Sequence, residues 1–205
     1  MPRKIKVVKQ KATEHDEFIS TSSVVLDYVK NNYVKLGSAA ALVLVVAFII
    51  LGFYYYSRER EQEALDLFTQ AKQMYQKSTA AQPNDQQQTP LYRPALEKFE
   101  EVVVNYSHAT SATKSLLYIG DCYYHLKDYD KAIENYMGFV NTSKKNNYLR
   151  QFAFEGLGYG YEGKGDHEKA LDYFKQSLNE PNCAIKNQLY LNIARCYETL
   201  KDNTA

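Results

Sequence analysis

Asp121, Cys122 and His125 fall within one predicted helical region, and a thiol beside an imidazole is the beginning of a nucleophilic dyad. The residue types also fit a plainer reading. An internal repeat, set out below, puts Cys122 and Cys196 at the same place beside a Tyr that faces helix packing, where a small buried thiol serves as a hydrophobe. The remaining histidines make no metal pair: His15 lies near the N-terminus, and His108 and His167, like His125, lie at predicted helix ends or turns. Three cysteines at irregular spacing give no disulfide framework, and Cys183 sits in a predicted loop as a free thiol. Gly156, Gly158, Gly160, Gly163 and Gly165 read as helix-packing and turn glycines, with no phosphate-cradling loop among them. The expectation is a chain without a catalytic site, metal or cofactor.

The elements that position these residues come from a repeat. Leu116-x-x-Ile119-Gly120-x-x-Tyr123 aligns with Phe154-x-x-Leu157-Gly158-x-x-Tyr161 and with Tyr190-x-x-Ile193-Ala194-x-x-Tyr197. Twelve residues after each Gly stands an Ala, Ala132 or Ala170, followed four later by Tyr136 or Phe174; Ala95 and Phe99 fit the same second half. Repeats of 38 and 36 residues indicate stacked helix pairs. Gly inside a helix costs about 1 kcal/mol relative to Ala, so Gly120 and Gly158 predict a neighbouring helix too close for a side chain, with the matching Ala making the same approach. Lys127 to Asp130 and Gly163 to Asp166 supply turns, with Asp128 or Asp130 and Asp166 as N-caps. Upstream, Ala64, Leu65, Phe68, Ala71, Lys72 and Tyr75 trace a helical stripe over 58–78. Ala95, Phe99, Val102 and Val103 trace another over 92–106, with a polar, Pro-framed mobile loop predicted at 79–90 and longer connections at 141–148 and 179–186.

Leu36 to Ser57 contains no group ionised at neutral pH and would make a helix about 33 Å long, enough for a hydrocarbon core of about 30 Å. The run starts late and is followed by Phe53-Tyr54-Tyr55-Tyr56, which suits an aromatic belt and offers no small-residue cleavage site; it reads as an uncleaved anchor. Before it, Arg3, Lys4, Lys6, Lys9 and Lys11 form a basic tail that should stay cytoplasmic, and Phe18, Val25, Leu26 and Val29 suggest a short interfacial helix ending near Asn31-Asn32. The expected domains are therefore 1–35, tail; 36–57, span; and 58–205, repeats. Of the 205 residues, those from 58 onward carry eighteen Lys/Arg against twenty Asp/Glu, which argues against a nucleic-acid partner.

From about residue 92 onward the pattern resembles the tetratricopeptide repeat, W-x2-L-G-x2-Y, then A-x3-F, then P. The Trp place holds Leu116, Phe154 or Tyr190, and Pro181 matches the closing Pro only loosely. The resemblance implies an all-α fold, with one transmembrane helix followed by a right-handed superhelix of three helical hairpins and a final helix. It also implies a concave face built by Lys114, Leu117, Asp121 and Tyr124; by Phe152, Glu155, Tyr159 and Glu162; and by Gln188, Leu191, Arg195 and Glu198. That aromatic, apolar and acidic mixture suits an extended or helical polypeptide with basic and apolar side chains, while Leu117 and Asp121 stand where the family's carboxylate clamp would need other residues. The whole plan is similar to bacterial inner-membrane proteins resembling the ancillary subunit of the Sec translocon. This implies a periplasmic repeat domain that tethers chaperones or emerging secreted proteins. A scaffold for another envelope assembly (cell wall, outer membrane or cytochrome maturation), an organelle import receptor with cytosolic repeats, and an enzyme built on Cys122 and His125 are the alternatives. An unfinished last hairpin would leave an apolar face that a second copy could cover.

Overall fold

The computed structural model describes residues 14–80 and 88–202, with side chains placed within 23–80 and 91–201. Among the described residues there are seven α-helices and no strand: α1 (Glu14–Ala80), α2 (Gln88–Asn105), α3 (Thr110–His125), α4 (Tyr129–Thr142), α5 (Arg150–Gly163), α6 (His167–Leu178) and α7 (Lys186–Asp202). The chain divides into two compact units, Met1–Tyr56 and Ser57–Ala205.

In the first unit the described backbone is helical with one interruption, Asn32, at φ −124° and ψ 17°. The Asn32 side chain donates to the Tyr28 carbonyl at 3.0 Å, a local bond of the kind that competes with helical pairing. Further on, Leu42 to Val46, Phe48 to Leu51 and Phe53 to Tyr56 are all exposed, and no residue of the most apolar window is buried inside the protein. Each such side chain would gain about 1.5–3 kcal/mol on leaving water. This helix is long and apolar enough to cross a membrane, or to serve as a signal sequence. The basic tail from Arg3 to Lys11 lies outside the described residues.

The second unit is a succession of neighbours: α2 packs on α3, α3 on α4, α4 on α5, α5 on α6 and α6 on α7. Its first layer joins Ala64, Phe68 and Ala71 to Ala95, Phe99 and Val102, with the Phe68 and Phe99 rings 5.7 Å apart. Leu65, expected in the stripe, turns outward. The loop expected over 79–90 is shorter at both described ends, since the helix persists to Ala80 and α2 begins at Gln88; 81–87 lie outside the described residues. Pro90 falls in the first turn of α2, where backbone N–H groups have no helical partner to lose, so proline there does not stop a helix. The Ser78 hydroxyl donates to the Leu91 carbonyl at 2.6 Å and joins the two helices beside that connection.

Two turns show the repeat in atomic detail. Asp128 caps α4 by accepting from the Lys131 N–H at 3.3 Å, and Asp166 caps α6 by accepting from the Lys169 N–H at 3.1 Å. Asp130 instead lies in the first turn of α4 and pairs with Lys164. Ahead of each cap the chain enters the left-handed region, at Lys127 (φ 62°) and at Gly165 (φ 80°), and the cap N–H donates five residues back, to Tyr123 and Tyr161. Gly165 adopts that conformation without steric cost, whereas a Cβ makes it unfavourable for Lys127.

The helix glycines are explained differently from the expectation of helix backbones in close approach. A Cβ on Gly120 would stand 2.6 Å from Tyr136 Cδ1, and one on Gly156 would stand 2.5 Å from Tyr136 Cζ. Likewise a Cβ on Gly158 would stand 2.5 Å from Phe174 Cδ1. The glycines make room for large rings that enter from the second helix of each pair, and the rings, not the backbones, fill the space. Cys122 and Cys196 are fully buried, and Cys183, although in a loop, is buried beside Leu171 and Leu189.

Gly156→Ala should destabilise the second unit by about 1–3 kcal/mol through overpacking against Tyr136, despite a helix-propensity gain of about 1 kcal/mol. Adding Tyr136→Leu should make the Gly156→Ala change nearly neutral. Thermal melts of the four proteins in detergent would show this; equal costs of Gly156→Ala with and without the Tyr136 ring would refute it.

Candidate functional site

The A-x3-F element of the first complete repeat places Tyr136 on α4, and two glycines on the flanking helices let its ring pass between them. Its hydroxyl emerges beside α3 and donates to Asp121 Oδ1 at 2.7 Å. Tyr75 of α1 contributes a further hydrogen bond to the same carboxyl. Burial nevertheless dominates and raises Asp121 from 3.8 to about 6, with the negative charge of Glu155 acting in the same direction. Glu155, on α5, is raised as well, by burial, against hydrogen bonds from the Tyr159 hydroxyl at 3.2 Å and Asn192 Nδ2 at 3.4 Å. Asn192 is fully buried and also donates to the Tyr159 hydroxyl at 2.8 Å, so α7 fixes the α5 groups.

Asp121, Tyr136, Glu155 and Tyr159 line a groove of about 480 Å³ between α3, α4 and α5. Of the residues expected on the concave face, Leu117, Asp121, Tyr124, Phe152, Glu155 and Tyr159 meet here. Leu117 is buried among core side chains and forms floor, whereas Phe152 stands exposed at the rim. The Tyr124 and Tyr159 rings lie 6.0 Å apart across the groove, and Tyr159 also meets Phe174 edge-on at 5.3 Å.

The other six expected positions do other things. Glu162 and Arg195 form a two-point ion pair, 2.6 and 2.8 Å, between α5 and α7. Gln188 reaches the Tyr159 hydroxyl at 3.4 Å and Asn192 at 3.2 Å. Lys114 lines a separate depression with His108, Lys144 and Asn147, and Leu191 and Glu198 are exposed outside the groove. Sequence reasoning missed Tyr118, His125, Tyr136, Leu149 and Gly156 as lining residues. For the first two a signal existed, because Tyr118 and His125 lie three before and four after Asp121 and so share its helix face. Tyr136 also carried one: the next repeat has Phe174 at its place, and a hydroxyl on a buried ring requires a partner.

Burial acts on both members of the Cys122 and His125 pair. Burial pushes the Cys122 thiol up, helped by the Asp121 and Glu100 charges, and the thiolate is thereby disfavoured. His125 is lowered by burial and lies flat on Tyr92, with ring centroids 4.3 Å apart. Among the described residues no group of three or more His, Cys, Asp or Glu is placed to hold a metal ion.

Residues 114–143 match the tetratricopeptide repeat family. That match covers most of α3 and all of α4, the two helices joined by Gly120, Ala132 and Tyr136. With the all-helical fold it supports a tetratricopeptide-type protein, and such repeats generally mediate protein–protein interaction. Comparison with curated proteins gives no match.

Asp121 has a measurable signature. Its carboxyl is raised in the folded chain, so its contribution to stability is present below pH 4 and is lost as pH rises through about 6. Asp121→Asn keeps one acceptor for Tyr136 and cannot ionise. The stability of the wild type relative to this variant should therefore fall by about 1–3 kcal/mol between pH 4 and pH 7. A difference in thermal midpoint that stays constant over that range would overturn the assignment.

Proposed function

We propose that this chain is a membrane-anchored, non-enzymatic protein that binds polypeptides through the groove between α3 and α5, on the concave side of a right-handed superhelix of repeats. The observation that carries this reading is the groove itself. It offers about 480 Å³ lined by Tyr118, Tyr124, Phe152 and Tyr159, rigid aromatic side chains that lose little conformational freedom on binding. Neither a buried thiol nor a stacked imidazole offers an alternative chemistry there.

The apolar helix of the first unit would act as an uncleaved single-pass anchor. Seven Lys/Arg against four Asp/Glu in residues 1–35 favour a cytoplasmic N-terminus, which would put the repeats across a bacterial inner membrane in the periplasm. Anchoring confines the groove to a thin layer of volume and raises its effective concentration for chains that emerge there. The resemblance of the overall plan supports one such role, tethering of chaperones or newly secreted proteins near the Sec translocon.

A photo-crosslinking amino acid at Phe152, on the groove rim, should give discrete protein adducts in intact cells. The same group at Val104, exposed on α2 away from the groove, should not. Translocon subunits, periplasmic chaperones or secreted chains among the Phe152 adducts would support the tethering role; equal adduct patterns at the two positions would reject the groove as the binding surface. An alkaline phosphatase fused to the C-terminus should be active, and an inactive, stable fusion would reverse the orientation.

A further inference from the structure

Asp121 and Glu155 are both partly buried, and among the described residues neither has a cationic partner. Glu162 pairs with Arg195 and Glu180 pairs with Arg150 at 3.1 Å, whereas Glu61 and Glu100 are held singly, outside the groove, by neutral donors. Removing a carboxylate from water costs free energy that hydrogen bonds alone only partly return. What sets Asp121 and Glu155 apart is that they come from successive first helices, α3 and α5, interact electrostatically and line one groove. No Lys or Arg lines it, and its only other ionisable cation, His125, is held towards the neutral form by burial.

The walls have the same preference. Tyr118, Tyr124, Tyr159 and Phe152 surround the two acids, and the face of an aromatic ring is the negative end of its quadrupole. Apolar Leu117 and Leu149 complete the lining and suit the aliphatic stem that carries a charged head. The volume exceeds that of one side chain, so the groove takes the cation together with its apolar neighbours.

We infer that the groove is a receptor for one lysine or arginine side chain of a partner polypeptide, the charged head resting between Asp121 and Glu155 and its flanking apolar residues against Tyr124, Phe152 and Tyr159. This rests on the polypeptide-binding reading above and adds the chemistry of what is bound. Four neutral hydroxyl or amide groups, on Tyr75, Tyr136, Tyr159 and Asn192, already hold the acids in place, so the receptor is organised before the cation arrives.

The test is selection from a random peptide display library against the full-length protein in nanodiscs, followed by affinity measurement on the enriched peptides. The expected result is one invariant Lys or Arg next to apolar residues. Replacing that residue in the peptide by norleucine should weaken binding about tenfold or more. Glu155→Gln should weaken the parent peptide comparably and have little further effect on the norleucine peptide, while Phe152→Ala at the exposed rim should weaken both. Enrichment of peptides without a basic residue, or affinities indifferent to the norleucine exchange, would overturn the cation receptor and leave polypeptide binding intact. Failure to enrich any peptide would overturn both. The norleucine exchange needs no change in the protein, so the test holds even where a groove variant fails to fold.

Discussion

The second unit depends on one side chain passing where no Cβ could stand. The Tyr136 ring runs between Gly120 of α3 and Gly156 of α5, and its hydroxyl ends on Asp121. A single residue thereby sets the spacing of three helices and the orientation of an acid in the groove. Packing of this kind tolerates little change in volume, because protein interiors are filled to the density of organic crystals. The next repeat keeps half of this arrangement and drops the polar end: Phe174 occupies the place of Tyr136, Gly158 that of Gly120 and Tyr159 that of Asp121, while α7 offers no second glycine. The Phe174 ring meets Tyr159 edge-on, where its counterpart makes a hydrogen bond. One architectural unit thus serves twice, and only one copy carries a charge.

This difference shows why the fold was more legible than the site. Apolar spacing, the Gly and Ala positions and the capping aspartates are local in sequence, and they located the helix pairs and the turns that join them. The reason for the glycines was less legible, since the pattern shows that a Cβ is forbidden without showing whether a backbone or a ring forbids it. The proline-framed connection is narrower than 79–90 because Pro90 sits in the first turn of α2, where no helical hydrogen bond is lost. For the groove, a register taken from the repeat resemblance found six of its lining residues. It could not show that Leu117 would sink into the core or that Glu162 and Arg195 would satisfy each other. The first depends on how α3 packs against α4 and α5, the second on a pairing between α5 and α7 more than thirty residues apart.

Tyrosine is the material common to core and groove. With nineteen tyrosines and no tryptophan, the chain fills its layers with rings that each carry a polar end. Some ends are used internally, as Tyr123 donates to Glu100 at 2.8 Å and Tyr159 to Glu155. Others lie along the groove. Tyrosine hydroxyls are neutral at physiological pH, and burial raises those of Tyr75, Tyr118, Tyr124 and Tyr159 further from ionisation.

The nearest-neighbour order of the helices bears on how the molecule opens. In a stack of this kind each helix is held mainly by its neighbours in sequence and opens locally when those contacts loosen. Here α7 packs chiefly on α6, yet it also holds the groove through Asn192, whose amide binds Glu155 and Tyr159. Fraying of α7 would leave α3, α4 and α5 assembled while releasing one acid and one ring from their fixed positions. The groove thus takes part of its shape from a helix outside its own three, and a partner docked against α7 would act on Glu155 and Tyr159 without touching the floor.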